Sequence, residues 1–492
     1  MKSMANRQQT ILSAFSTGTK SLQGRLINPY QRDGVLWMLS REITSGIKGG
    51  FLCDEMGLGK TVQLITLMIS NPKPKTLVVV PVSVLAQWKE EINKFAPHLR
   101  VYIHHGASRP MSIRDIPEFD VFLTTYSLIR LKNIEDVIPA YYEWDRIICD
   151  EAHELRNAKS RTAKNLGILR SSIHWCVTGT PVFNNIKDFV SLGTFVGIPA
   201  LSIQVDIETI RKKYVLRRTK EDVAEHNKRL ELPPCEVQNV ELKMYEDEHR
   251  LYKTVYEDCK KRTREIIRSG IAEGMKAMLL LECFLRARQC MAHPMAYLSG
   301  TEEEPEWDEN THKVDYLLDS LTENNERGEK SIVFCQFIVE MNVIQSVVES
   351  AGIPVYRIDG SVSQEGRVQE LNKFRASKGG VILIQIKAGG QGINLQEATR
   401  VYITSPSWNP ATELQAIGRA HRTGQTQKVF VERLIYKGEE ELPSIEESIM
   451  GIQDHKNIVT SEVLNDSRIL AKLPTRLKKN TLNIRTLKLI FS

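Results

Sequence analysis

The stretch that most restricts this chain is Phe51-Leu-Cys-Asp-Glu-Met-Gly-Leu-Gly-Lys-Thr61. An apolar run leads into two glycines, a lysine and a threonine, and then into the helix-like Val62-Gln-Leu-Ile-Thr-Leu-Met. A strand, a glycine-rich turn and a helix N-terminus in that order suit a triphosphate, because glycines let backbone N–H groups approach and the helix end carries partial positive charge. Lys60 would reach the β- and γ-phosphates and Thr61 would place its hydroxyl on Mg²⁺. Asp54, Glu55, Met56, Gly57, Leu58 and Gly59 would line the loop. The general pattern begins with glycine, and here that slot holds Asp54; taken alone, the stretch also reads as a plain glycine turn before a helix.

A chain of 492 residues exceeds one ordinary core, so two or three domains are expected. A hydrophobic content of 41% with 26% charged residues is ordinary for a globular protein, and no apolar run approaches a membrane span. Met1 to Ser21 is polar and rich in Ser and Thr, and reads as a disordered leader without a secretory signal. None of the eight cysteines has Cys-x-x-Cys spacing; several sit in strand-like runs, as small buried hydrophobes of a reducing, intracellular compartment. The net charge of +6 is local: Asp466 to Ser492 holds seven basic residues and one acid, leaving residues 1–465 neutral on balance. Such a tail can grip phosphates or simply be solvated.

Pro29 opens a helical stretch in which Gln31 carries an amide able to read an adenine edge. Four apolar runs follow: Thr76-Leu-Val-Val-Val, Asp120-Val-Phe-Leu-Thr-Thr-Tyr, Arg146-Ile-Ile-Cys-Asp-Glu-Ala-His and His174-Trp-Cys-Val-Thr-Gly-Thr-Pro. Each ends in polar or small residues with helical stretches between, the rhythm of a doubly wound parallel sheet with functional residues at strand ends. Asp150 at such an end would hold Mg²⁺ and Glu151 would orient and deprotonate an attacking water, while His153 would link this site to neighbouring loops.

A second strand series begins at Ser331 and continues through Val355, Val381 and Arg400, with no phosphate loop of its own. Two α/β lobes sharing one loop imply one ATP site in the cleft between them. Arg419 and Arg422, three apart, would share a helix face and neutralise charge on the γ-phosphate. Met244 to Ile267, with Leu251, Val255 and Cys259 spaced by fours, reads as a helical protrusion. Arg288-Gln-Cys-Met-Ala-His-Pro reads as a packed turn and not a zinc fragment.

The phosphate loop, Asp150-Glu-Ala-His and Thr178-Gly-Thr-Pro together resemble the Swi/Snf-like ATPases of helicase superfamily 2, whose usual loop is Asp-Glu-x-Gly-x-Gly-Lys-Thr; Asp54 then becomes a family mark. Pro81-Val-Ser-Val-Leu-Ala-Gln-Trp and Thr124-Thr-Tyr are similar to segments along the DNA backbone, and Leu216-Arg-Arg-Thr-Lys to the passage between lobes. Gln415-Ala-Ile-Gly-Arg-Ala-His-Arg-Thr-Gly-Gln resembles the last helicase motif, and Lys387-Ala-Gly-Gly-Gln-Gly, with Gly392, the motif touching DNA and nucleotide. Gly418 departs from an acidic residue, and Ser405 and Ser407 from an acid and an aromatic. The stretch after Glu446 looks like a helix bracing the first lobe.

The resemblance, running from about Leu22 to about Ile452, implies an α/β fold of two tandem RecA-like parallel-sheet lobes with helical insertions. The divisions are a leader at 1–21, an ATP-binding lobe at 22–228, a helicase lobe at 229–455 with a protrusion near 244–300, and a basic tail at 456–492. It implies an ATP- and Mg²⁺-using translocase, a monomeric motor on double-stranded DNA, with nucleosomes or other DNA-bound proteins as cargo and no membrane. A nuclear, viral-replication or cytoplasmic site depends on the source. A strand-separating helicase, a transcription-linked ATPase and a non-catalytic ATP-gated binding protein are the alternatives.

Overall fold

The computed structural model describes residues 2–26, 29–106, 118–131, 142–179, 186–224, 232–301, 305–389, 393–422 and 424–464. These fall into two compact units divided between Glu231 and Leu232, the first also taking in the described residues from Val459 onward. Among them, no helix is long and apolar enough to cross a membrane.

The first unit is a seven-stranded sheet built of β1 (Lys48–Leu52), β2 (Thr76–Val80), β3 (Val101–Ile103), β4 (Val121–Thr125), β5 (Arg146–Asp150), β6 (Ile173–Val177) and β7 (Val215–Leu216). Their order is β3-β4-β2-β5-β6-β1-β7 and every pairing is parallel. The apolar runs are strands because both faces are covered. Leu77 and Val79 enter one core with Phe122, Ile147 and Cys149, while Val78 and Val80 enter the opposite core with Leu123, Ile148 and Trp175. That alternation is the period-two pattern of a strand between two helical layers.

The second unit repeats the design with β8 (Cys235–Leu242), β9 (Ser331–Cys335), β10 (Val355–Ile358), β11 (Val381–Gln385), β12 (Arg400–Ile403) and β13 (Val429–Tyr436), ordered β10-β11-β9-β12-β13-β8 and again all parallel. Val333 and Leu383 face one core, Ile332 and Ile382 the other. Between β8 and β9 run the long helices Glu246–Arg268 and Glu273–Ala292, packed through Cys259, Cys283, Phe284 and Ala287. Seven of the eight cysteines are buried, and burial pushes the Cys53 thiol up to about 12. His293 caps the helix Pro294–Leu298 by accepting the Met295 N–H at 3.1 Å, and burial lowers its pKa to about 4.

Three expectations change. Residues 2–19, expected as a disordered leader, form a helix whose Ile11 and Phe15, one turn apart, pack on the first unit's core; a polar composition concealed a narrow apolar stripe. Of Leu216-Arg-Arg-Thr-Lys, expected as a passage between lobes, Leu216 belongs to β7 beside β1, and the segment lies within the first unit, ahead of its end. The basic tail from 465 lies outside the described residues, but residues 456–464 end the helix Ile445–Leu464.

Candidate nucleotide site

Four adjacent strands of the first sheet end at one level. Asp150 stands beside Val177, Val177 beside Leu52, and Leu52 beside Leu216. The residues that leave these ends, Glu151, Thr178, Cys53 and Arg217, are therefore neighbours, although they are spread over more than 160 positions of chain. Ligands of open parallel sheets sit outside such strand ends where the strand order reverses, and β1 is separated from its successor β2 by β5 and β6.

The loop after β1 turns through Gly57 and Gly59 at φ of +92° and +71°, a left-handed backbone that favours glycine. Gly59 caps the helix Lys60–Ser70, and a Cβ there would meet the Gln31 amide nitrogen at 2.3 Å. Gln31 is buried and donates to the Leu58 carbonyl at 3.2 Å, so the amide assigned to an adenine edge lies on the phosphate loop. Lys60 Nζ donates to the carbonyls of Asp54 at 2.9 Å and Glu55 at 3.3 Å. A Cβ on Gly179 would lie 2.7 Å from that nitrogen, which places the lysine between its own loop and Gly179; Thr180 and Pro181 of that motif lie outside the described residues. Thr61 follows in the first helical turn, half-buried, as are Glu55 and Met56, while Leu58 is buried.

The Asp54 side chain does not line the loop's open face. Its carboxylate is fully buried and pairs with Arg218, Nε donating to Oδ1 at 2.9 Å and Nη2 to Oδ2, and Gln63 Nε2 also donates to Oδ2 at 3.1 Å. A buried carboxylate needs such partners, and only the Asp54 carbonyl faces Lys60.

The Asp150 carboxyl is perturbed by its surroundings. Burial, reinforced by the Glu151 charge, raises its pKa to about 6, against the opposing effects of the Trp88 hydrogen bond and Lys60. The Trp88 indole donates to Oδ2 at 2.8 Å, and the Tyr126 hydroxyl donates to the Asp150 carbonyl at 2.7 Å. Both aromatics come from segments resembling DNA-backbone contacts, yet Trp88, Thr124, Thr125 and Tyr126 are all buried. Here they brace the acid from within. No local signal reveals this, since Trp88 and Asp150 are 62 positions apart.

Glu151 has φ +53°, the one positive value at a non-glycine among the described residues. Its N–H is held by Asp150 Oδ1 at 3.0 Å, and its Oε2 lies 3.5 Å from Thr178 Oγ1 and 3.3 Å from His153 Nδ1. Strained backbone of this kind collects at functional sites.

In the second unit the helix Pro410–Ala420 carries Gln415, half-buried, and Arg419, buried. The expectation that Arg419 and Arg422 share a helix face fails. His421, at φ −90° and ψ 80°, ends the helix, and Arg422 lies in the turn beyond. Gln425 fixes that turn, its Nε2 donating to the carbonyls of Gln396, Ala398 and Ala420. Ser405 and Ser407 are buried as well. Ser405 Oγ lies 2.7 Å from Glu446 Oε1 and 3.2 Å from Lys313 Nζ, a network closed to any outside ligand. Gly392 lies outside the described residues.

Residues 30–296 match the SNF2-related domain and residues 312–424 the helicase conserved C-terminal domain. YwqA of Bacillus subtilis, provisionally described as an ATP-dependent helicase/translocase, is 31% identical over 93% of this chain and 50% of its own length. The human SWI/SNF-related matrix-associated actin-dependent regulator of chromatin subfamily A member 1 is 28% identical over 97% of this chain and 47% of its own. The chain thus spans about half the length of the curated relatives it matches. Among solved structures, the Sulfolobus solfataricus SWI2/SNF2 ATPase core in complex with double-stranded DNA is 27% identical, with 92% of this chain and 96% of that one covered and a TM-score of 0.40.

Proposed function

The chain belongs to the SNF2-related family, and from that premise we propose that it is a DNA-dependent ATPase that translocates along double-stranded DNA and remodels the protein complexes bound there. The observation that carries this reading is the row of strand ends that brings Lys60, Asp150, Glu151 and Thr178 into one site. On binding ATP, Lys60 exchanges the carbonyls of Asp54 and Glu55 for phosphate oxygens, and the N–H groups of the loop and helix end complete the cradle. Glu151 orients a water and takes its proton. Arg419, with Arg422 from the adjoining turn, supplies positive charge against the γ-phosphate when the second unit closes on the nucleotide, and repeated closure and reopening moves the duplex stepwise. Gln415, on the same helix as Arg419, would join it there.

Mg²⁺ fits the donor set, because a buried carboxylate and a hydroxyl are hard oxygen ligands. It is usually held by one or two carboxylates plus phosphates and water, and among the described residues no group of three or more acids, histidines or cysteines forms a larger cage. Asp150 and Thr61 would hold it. Bound there, it would neutralise charge on the β- and γ-phosphates.

Duplex DNA should stimulate phosphate release by the purified protein, with Lys60→Ala as the blank. Stimulation absent, or equal in that variant, overturns the reading. Displacement of a triplex strand without separation of the duplex would mark translocation; separation would mark a helicase. A comparison of duplex DNA with nucleosomes as stimulants tests the cargo.

At limiting Mg²⁺, where protons compete with the metal for Asp150, the acid limb of hydrolysis should approach pH 6. Because the Asp150 pKa is raised, the carboxylate is lost as the pH falls through about 6, not 3.8. The same shift makes the folded state take up this proton first, so this group favours folding on acidification. Trp88→Phe removes a hydrogen bond that favours the charged form and should move the limb to higher pH; a pH–rate profile from 5 to 8 with an unmoved limb contradicts this.

A further inference from the structure

Arg218 stands outside the loop, acids and arginines to which the family resemblance gives roles in hydrolysis, yet its guanidinium is bonded to the first residue of the nucleotide loop. Its guanidinium reaches three separate pieces of chain. Nε and Nη2 take the two oxygens of Asp54, the first residue of the phosphate loop. Nη2 also donates to Gln63 Oε1 at 2.9 Å, on the helix that follows the loop. Nη1 donates to the Tyr30 carbonyl, immediately before Gln31. Gln63 closes the circuit, its amide donating to Asp54 Oδ2 at 3.1 Å and to the Leu58 carbonyl at 3.3 Å.

The backbone around Arg218 runs along the same loop. Cys53 N–H donates to the Leu216 carbonyl at 2.7 Å and Glu55 N–H to the Arg218 carbonyl at 2.8 Å. Lys220 N–H donates to Glu55 Oε2 at 2.8 Å. The entry to the loop is thus hydrogen-bonded as an extra strand pair, with the side-chain fork pinning its first residue. The carbonyls that receive Lys60 are those of Asp54 and Glu55, the two residues held in this way.

We propose that Arg218 is the positioning residue of the phosphate loop, and that Asp54 replaces the usual first glycine in order to receive its guanidinium. This rests on the reading of the loop as an ATP site. A planar fork with five donors meets a carboxylate, an amide and a carbonyl at once, which a lysine cannot do. The segment Leu216–Lys220 is then part of the nucleotide site. The chain leaves the first unit soon after it, so a shift in that segment is felt at the loop.

The test measures binding of a fluorescent ATP analogue and steady-state hydrolysis for the full chain and for Arg218→Lys, Arg218→Gln, Asp54→Asn and the double variant Asp54→Asn/Arg218→Gln. Arg218→Lys keeps the charge and should still raise the dissociation constant and the KM for ATP at least tenfold, a larger change than any fall in kcat. The effect of Arg218→Gln should shrink when Asp54 is already Asn, because the two residues act as one. If Arg218→Gln fails to fold, Arg218→Lys alone decides. Wild-type affinity in Arg218→Lys, or a lowered melting temperature with unchanged KM, overturns the proposal. Failure of the unaltered protein to bind the analogue overturns the ATP-site reading itself, and this inference with it.

Discussion

Glu151→Gln should reduce hydrolysis by about 10²- to 10⁴-fold, the range over which a positioned general base acts, while ATP binding survives. Glutamine keeps the shape of the side chain and can still lie beside Thr178 Oγ1, but it cannot accept a proton from water. The backbone constraint is also kept, since the left-handed turn at φ +53° is held by the Asp150 carboxylate on the residue's own N–H. What is removed is the proton acceptor, together with the charge that helps raise the Asp150 pKa. Lys60→Ala should behave differently and lose affinity first, because Lys60 is a ligand and not a proton acceptor. Single-turnover phosphate release beside equilibrium nucleotide binding separates the two variants. A Glu151→Gln protein retaining more than about a tenth of the rate would show that another group activates the water.

Most of the fold was legible because parallel strands are short, apolar and punctuated. Thr76–Val80 and Ser331–Cys335 are buried along their whole length, and their shortness, β-branched content and punctuated ends favour a strand between two helical layers over a buried helix. Strands without that signature were invisible. β7 has two residues, and β8 is a largely exposed edge whose Glu236, Gln238 and Glu241 interrupt any apolar run. The phosphate loop, Asp150 and Glu151 were legible because their chemistry demands local spacing. The supports of those residues were not, since each crosses a large gap in sequence: Trp88 to Asp150, Tyr126 to the same residue, and Arg218 to Asp54 over 164 positions. Family likeness made Asp54 familiar without giving it a cause; the guanidinium supplies one. Arg422 shows the opposite fault. A spacing of three implied a common helix face, but His421 leaves the helical region between the two arginines.

Removing either partner of the Glu42–Arg146 pair should destabilise the first unit by about 3–5 kcal/mol, the range for breaking a buried ion pair. Both side chains are fully enclosed. Arg146 Nε lies 2.7 Å from Glu42 Oε1 and Nη2 lies 2.5 Å from Oε2, while Nη2 also donates to the Asn71 carbonyl at 2.8 Å. Glu42 further accepts the Trp175 indole at 2.9 Å and the Asn71 amide at 2.6 Å, so one carboxylate ties the helix Tyr30–Ile43 to β5, β6 and the end of the helix Lys60–Ser70. In Arg146→Ala the carboxylate keeps two neutral donors but loses its counter-charge; in Glu42→Ala the guanidinium keeps a carbonyl and a hydroxyl. Against a usual domain stability of about 5–15 kcal/mol, either loss is large. Replacing both by apolar residues of similar size, as in Glu42→Leu/Arg146→Met, should recover most of it, because desolvating two charges offsets much of their attraction. Four of the six tryptophans, Trp37, Trp88, Trp144 and Trp175, lie in the first unit, so intrinsic fluorescence during urea titration follows that unit's transition. A single variant unfolding within about 1 kcal/mol of the parent, a loss expected of an exposed pair, would mean that water reaches a pair the fold encloses.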